Sequence, residues 1–254
     1  VVSATAEDAS QSTFEFRFDW GLDGLNALAP LCDVIVVIDV LRFTTVVSTA
    51  LETGAVVIPF RWKDDRARAY ADERDAVLAG TSEDGGPSLS STGLRGLDRG
   101  TRLVIPSPNG STVSFAAAEQ GVPFVLAGSL RNAGATARRA RTLAQGGGIG
   151  VIACGERWGD GPLRPALEDL IGAGAVLHAL DPSAAASPPW SSPEARAARA
   201  VFVDARASLA PTLAQTASGR ELIRRGWADD VAAASELDAT PVAAQLIDGE
   251  FVAV

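Results

Sequence analysis

The sequence predicts a three-layer α/β/α protein with a largely parallel or mixed sheet covered by helices on both faces. Three observations carry this reading. Short β-branched runs such as Val34–Ile38 and Ile149–Ala153 are apolar at nearly every position, as in strands buried on both faces. Segments with helical spacing separate these runs, the alternation that builds parallel sheets. Gly and Pro punctuate the junctions between them.

The first element, Thr13–Trp20, alternates apolar and polar residues and reads as a half-buried strand. Gly21–Leu28 fits a short helix stopped by Pro30. Val34–Ile38 is a strand, and Thr44–Thr53 a helix closed by Gly54 as its C′ residue. Ala55–Phe60 is a strand, Asp64–Arg74 a charged amphipathic helix, and Val77–Ala79 a short strand. Ser82–Gly100, rich in Ser, Gly and Thr, reads as a long loop. Arg102–Ile105 and Pro123–Ala127 are strands, with helices over Thr112–Glu119 and Asn132–Ala144. Gly146-Gly147-Gly148 leads into the strand Ile149–Ala153. Pro165–Leu180 is helical, with Pro165 suited to the first turn. Residues 181–193 have the Pro/Ser/Ala composition of a mobile linker. Two or three helices come next, over Glu194–Leu209 and Pro211–Arg225, and Pro241–Val254 supplies one last strand. Residues 1–254 are read as a single domain.

Composition narrows the classes. The 254 residues are 47% hydrophobic and 21% charged, and carry a formal net charge of -9. An acidic chain without a basic run repels phosphate backbones, so no nucleic-acid partner is expected. No apolar stretch approaches the length of a bilayer span, and the Val1–Ser12 segment lacks a signal pattern. A cytoplasmic protein with no membrane partner is therefore expected. Cys32 and Cys154 fall at opposite ends of their strands, which argues against a disulfide. Apolar surplus in the Ala-rich helices would suit a homodimer.

Function is read from the turn at the end of each strand. Val34–Ile38 runs into Asp39-Val40-Leu41-Arg42, and Arg102–Ile105 into Ser107-Pro108-Asn109-Gly110. Pro123–Ala127 runs into Gly128-Ser129-Leu130-Arg131-Asn132, and Ile149–Ala153 into Cys154-Gly155-Glu156-Arg157. In an open α/β sheet such carboxyl ends line the ligand crevice. The four turns predict a pocket of carboxylates, amides, hydroxyls and guanidinium groups for a small anion. Asp39 suits a metal ligand or nucleophile, although Asp also suits a helix N-cap. Arg42 suits a phosphate or sulfonate, although a surface ion pair has the same composition. Glu168 and Asp169 offer hard oxygens for Mg²⁺, with helix-dipole stabilisation as the plainer alternative. Ser218-Gly219-Arg220 would bind an anion at a helix start, or simply cap the helix.

Other chemistries are unsupported. There is no Cys-x5-Arg, no second Asp two residues after Asp39, and no Walker-type Gly-x4-Gly-Lys. Gly148-Ile149-Gly150-Val151-Ile152-Ala153 has dinucleotide-fingerprint spacing but lies before and within a strand instead of after one. The single histidine, His178, lies mid-helix, away from a Ser-His-Asp pattern.

Together these segments resemble the 2-phosphosulfolactate phosphatase (ComB-like) family. The resemblance rests on Ile38-Asp39-Val40-Leu41-Arg42-Phe43-Thr44-Thr45, Ser107-Pro108-Asn109-Gly110-Ser111 and Gly128-Ser129-Leu130-Arg131-Asn132-Ala133. It continues through Cys154-Gly155-Glu156-Arg157-Trp158, Glu168-Asp169-Leu170-Ile171-Gly172-Ala173-Gly174, and Ser218-Gly219-Arg220-Glu221-Leu222 with Asp230-Val231. It implies an α/β fold of two related lobes, meeting near 145–150. It also implies Mg²⁺-dependent hydrolysis of a phosphate monoester of a small anionic hydroxy acid, 2-phosphosulfolactate. On this reading Asp39, Arg42, Glu168 and Asp169 are catalytic, with Asp39, Glu168 and Asp169 also the metal ligands. Asn109, Gly110, Ser129, Asn132, Cys154, Glu156, Ser218, Gly219 and Arg220 would bind substrate. One departure concerns the region after Val77–Ala79, where many relatives carry a Gly-Glu-Arg turn and an Asn-Ser-Pro stretch. This chain has Gly80-Thr81-Ser82 and Ser88-Leu89-Ser90-Ser91-Thr92. A different ester, a non-catalytic anion-binding or regulatory protein, and another hydrolase or transferase at the same edge therefore stay open.

Overall fold

The chain begins its sheet with β1 (Phe16–Trp20), which hands over directly to α1 (Gly21–Leu28). The computed structural model describes residues 10–80, 89, 91–159, 161–182 and 190–254. A 3₁₀ turn containing Pro30 ends α1, as the proline predicts. Then come β2 (Val34–Ile38), α2 (Phe43–Glu52), β3 (Val56–Phe60), α3 (Arg66–Asp72), β4 (Val77–Leu78) and a short α4 (Ser91–Leu94). The expected 82–100 loop thus contains a helical turn, anchored by the fully buried Leu94. Residues 81–88 and 90, most of the divergent region, lie outside the described residues.

The middle of the chain forms β5 (Arg102–Pro106), α5 (Gly110–Glu119), β6 (Phe124–Gly128), α6 (Ala133–Ala144) and β7 (Ile149–Ala153). A small hairpin of β8 (Glu156–Arg157) and β9 (Leu163–Arg164) comes after it. Next is α7 (Leu167–Leu180), whose N-cap is Ala166, so Pro165 precedes the first turn instead of occupying it. Most of the expected linker, 183–189, is outside the described residues. Its far end is tied down: the Ser192 N–H donates to the Phe16 carbonyl at 2.9 Å, and the Ser192 hydroxyl caps α8 (Pro193–Ala205). Instead of two or three helices there are four, with α9 (Leu209–Gln215), α10 (Ala217–Arg224) and α11 (Ala228–Ala234) after α8. The expected last strand is a hairpin, β10 (Ala244–Ile247) and β11 (Glu250–Ala253), turning at Asp248-Gly249 where both residues have positive φ.

The nine-stranded sheet has the order β1-β7-β2-β6-β10-β11-β3-β5-β4. The four strands β1, β7, β2 and β6 are mutually parallel, as are β3, β5 and β4. The C-terminal hairpin joins the two groups through three antiparallel pairings, β6–β10, β10–β11 and β11–β3. Three reversals leave β5 running opposite to β2. Twist accumulates at roughly 20–25° per strand, so over the five steps from β2 to β5 it reaches roughly 100–125°. That rotation swings the end of β5 back toward the end of β2.

The alternation of β2 explains why the sheet is covered on both faces. Val34, Val36 and Ile38 pack into a cluster with α6, α7 and α8, while Ile35 and Val37 pack beneath α1 and α5. All five are fully buried, and each stabilises the fold by about 1.5–3 kcal/mol. A separate cluster joins α2 to β3, β5 and β11 through Val47, Leu51, Val57, Leu103 and Phe251. No helix among the described residues is long and apolar enough to cross a membrane.

Candidate active site

The strand ends meet at Asp39. Its carboxylate sits at the starts of two helices at once. Oδ1 accepts from the Phe43 N–H that opens α2 at 3.3 Å, and Oδ2 from the Gly110 N–H that opens α5 at 3.0 Å. The Ser107 hydroxyl donates to Oδ2 at 3.4 Å. The N-cap of α2 is Arg42, so Asp39 takes part in the helix start from outside the cap position. Burial pushes the Asp39 carboxyl above its ordinary value, while the two backbone N–H groups, Lys63 and Ser107 pull it back.

Gly110 is required at this junction. A Cβ there would lie 2.1 Å from Phe43 Cδ1 and 2.9 Å from Asp39 Oδ2. Only a residue without a side chain lets α5 bring its first N–H up to the carboxylate.

Behind Asp39 lies Asp169, on the first turn of α7. Its Oδ1 accepts from the Val40 N–H at 2.7 Å and its Oδ2 from the Gly155 N–H at 2.8 Å. Asp169 therefore ties the turn after β2 to the turn after β7. Burial raises its carboxyl well above the ordinary value, and the charges of Asp39 and Glu168 raise it further. Glu168 is buried beside it, and its Oε2 has no hydrogen-bond partner among the described residues.

In front of Asp39 opens a cleft of about 580 Å³. Arg42, Lys63, Arg157, Arg164 and Arg225 line it, against the carboxylates of Asp39, Glu156 and Glu221. An acidic chain thus lines this cleft with more cationic than anionic side chains. Arg42 is fixed by an ion pair to Asp230 at 2.7 Å and lies 4.3 Å above the Trp227 ring. Arg164 donates to Ser218 Oγ at 3.3 Å. Glu156, on β8, accepts from the Asn109 amide at 3.1 Å. Burial, then the charges of Asp39 and Glu168, push Glu156 up to about 7 against the opposing pull of Asn109 and Arg164.

The 2-phosphosulpholactate phosphatase family model matches residues 25–249, most of the sequence. The chain belongs to the 2-phosphosulfolactate phosphatase family. It is 31% identical over 231 residues to the probable 2-phosphosulfolactate phosphatase of Symbiobacterium thermophilum, covering 86% of this chain and 93% of that relative. It is 34% identical to the proteins of the same name from Thermus thermophilus, over 154 residues, and Deinococcus radiodurans, over 157. Those two alignments span 58% of this chain and 62% of each relative's length.

Within this family member, the structure sorts the residues expected from sequence. Asp39, Arg42, Asn109, Glu156 and Ser218 line the cleft. Gly110 touches Asp39 through its N–H, and Asp169 stands one layer back. Cys154 is buried and borders a second, smaller chamber; burial and the charges of Asp39 and Asp169 raise its thiol well above the ordinary value. Ser129 and Asn132 are not brought to the cleft. They form a capping box: Asn132 Oδ1 accepts from the Ser129 N–H at 2.8 Å, the Ser129 side chain accepts from the Asn132 backbone N–H, and the Ser129 hydroxyl also donates to Asn132 Oδ1 at 2.9 Å. The Arg131 between them is buried in ion pairs with Glu52 and Glu236. Gly219 and Arg220 do not reach the cleft either. The Gly219 N–H is taken by the Thr216 hydroxyl at 3.0 Å, and Arg220 turns outward to the Gln215 carbonyl. The sequence does not single out Lys63, Arg164 or Arg225, and it marks Arg157 only as part of the turn after β7. For Lys63 a signal existed, since the only lysine comes after the strand β3 just as Asp39 comes after β2.

Among the described residues no three His, Cys, Asp or Glu side chains converge as a metal cage. Mg²⁺ does not require one, because it commonly takes one or two carboxylates and keeps its remaining positions for water and phosphate oxygens. The hard oxygens of Asp39 and the unpartnered Oε2 of Glu168 fit that donor set.

Proposed function

We propose that this protein hydrolyses the phosphate monoester of a small anionic hydroxy acid, with 2-phosphosulfolactate the first candidate, in a Mg²⁺-dependent reaction. The observation that carries this reading is the set of cationic side chains around the buried Asp39 carboxylate. A substrate bearing a phosphate and a second acid group supplies the negative charge that such a cleft lacks. Arg42 and Lys63 are proposed to hold the phosphate end, and Arg157, Arg164 and Arg225 the second acid group. Arg42 is pre-set for this by Asp230 and Trp227, so little side-chain entropy remains to be lost on binding.

Asp39 would hold the Mg²⁺, with Glu168 reaching it through water. When bound, the ion would neutralise charge on the phosphoryl oxygens as the P–O bond breaks. Asp169 would keep the Asp39 turn and the Glu156 turn at a fixed separation. The names of the relatives support the choice of ester. The free thiols of Cys32 and Cys154 support a reducing, cytoplasmic setting for the enzyme.

Phosphate release from 2-phosphosulfolactate and a panel of phosphorylated hydroxy acids, with Mg²⁺ and with EDTA, tests the proposal. Release that EDTA abolishes is expected. Release from no ester by folded protein would leave an anion-binding role in its place, and release unaffected by EDTA would remove the metal.

A further inference from the structure

Glu156 stands at a distinctive place in the cleft. It lines the same cleft as Asp39, beside which the phosphate is proposed to bind, and as Arg164, proposed to bind the second acid group. Arg164 faces it directly across the β8–β9 hairpin. The next residue of the same strand is Arg157, a second cation of the acid-binding end. A substrate reaching from Asp39 to Arg157 and Arg164 would thus share the cleft with the Glu156 side chain.

The carboxyl is held in position. Asn109, from the turn after β5, donates its amide to Oε2 at 3.1 Å and leaves the other oxygen uncommitted in the described hydrogen bonds. Behind the pair lies the second chamber, of about 350 Å³, which shares Pro108, Asn109, Glu156 and Arg157 with the main cleft. Its walls include Trp20, Leu22, Pro162 and Leu163, with Asp23, Thr112 and Arg157 among its polar groups. Apolar walls behind a carboxyl disfavour its ionised form, and so do the carboxylates of Asp39 and Glu168.

We infer that Glu156 is the acid that protonates the departing alcohol oxygen of the phosphate ester. This rests on the proposed phosphatase activity. As the bond between phosphorus and the ester oxygen breaks, its electron pair goes to that oxygen, which takes the Glu156 proton and leaves as the alcohol. Water forms the new P–O bond. One of its protons stays on the released phosphate and the other returns Glu156 to its acid form, so one ester and one water give one alcohol and one hydrogen phosphate. The surroundings divide by role: burial keeps the proton on Glu156, and Arg164 and Arg157 bind substrate.

The test compares two leaving groups. An alkyl ester, the phosphorylated hydroxy acid that the wild-type protein turns over fastest, needs its leaving oxygen protonated. 4-Nitrophenyl phosphate does not, because nitrophenolate is a stable anion. Glu156→Gln is expected to lower kcat on the alkyl ester by about 10²–10⁴-fold and on the aryl ester by less than about tenfold. Glu156→Asp, which keeps an acid one methylene short, is expected to fall between wild type and Gln on the alkyl ester and to lose less on the aryl ester than on the alkyl ester. Equal losses on both esters, in either variant, would overturn the role of Glu156 while leaving the phosphatase reading intact. Hydrolysis of neither ester by the wild-type protein would overturn that reading and the inference with it.

Discussion

The N–H of Gly110 donates to Oδ2 of Asp39 at 3.0 Å, although the two residues leave strands of opposite sense and lie 71 positions apart. This contact joins the two parallel strand groups at the cleft, and it leaves no room for a side chain at position 110. Gly110→Ala would push a methyl group into the Phe43 ring. The expected cost is about 1–3 kcal/mol of stability in urea unfolding, with loss of turnover as Asp39 is displaced. Unchanged stability and turnover would show that the junction relaxes freely and that the close approach has no function.

Asp39→Asn changes one oxygen to an amide with almost no change in volume. If Asp39 carries the metal, turnover in Mg²⁺ should fall at least about a hundredfold, because metal-borne charge stabilisation is several kcal/mol. Thermal unfolding and phosphate release on the same sample separate this from misfolding. A folded variant with wild-type turnover would remove Asp39 from the chemistry.

Asp169, a metal-ligand candidate from the sequence, does not line the cleft as Asp39 does, and its two oxygens accept from Val40 and Gly155. Asp169→Ala strands two buried N–H donors, each costing about 1–3 kcal/mol. The loss should appear as a lower Tm that is the same with Mg²⁺ and with EDTA. A stability difference from wild type that appears only in Mg²⁺ would instead mark Asp169 as a ligand.

The turn after β6 gives the opposite case. Asn132→Ala removes the side-chain half of the capping box, the 2.9 Å bond from the Ser129 hydroxyl and the 3.2 Å bond from its amide to the Ala127 carbonyl, while the backbone half of the box stays. Stability should fall by about 1–3 kcal/mol while KM stays near wild type at a temperature where the variant is folded. A raised KM in fully folded protein would return Asn132 to the substrate.

The strands and the polar turns after them are legible in the sequence, because a β-branched run such as Val34–Ile38 fits little except a doubly covered strand. Asp39, Asn109 and Glu156 could therefore be found as strand-end residues. Which turns meet was not legible, since it depends on the β10–β11 hairpin inserting between the strand groups and reversing β5. Ser129 and Asn132 carry the same signal as Asn109, yet their polar atoms face α2 and their own backbone. Arg164 and Arg225 reach the cleft from a hairpin and a helix end, where an arginine looks like any solvated surface residue.

The pH dependence of the reaction offers the sharpest reading of Glu156. Without metal its carboxyl is pushed up to about 7, first by burial and then by Asp39; Mg²⁺ on Asp39 would cancel the second cause and draw the value down. If the acid form donates the proton, kcat/KM for an alkyl ester in Mg²⁺ should decline by about tenfold per pH unit above the Glu156 pKa, in a limb that sets in at or below about pH 7. Glu156→Gln should abolish that limb and leave a low, flat rate. Asn109→Ala should move the limb in a defined direction. The Asn109 amide stabilises the ionised carboxylate, so its removal raises the Glu156 pKa further and the decline should begin at higher pH. A limb that stays in place in Asn109→Ala, or persists in Glu156→Gln, belongs to another group and would take the proton donation away from Glu156.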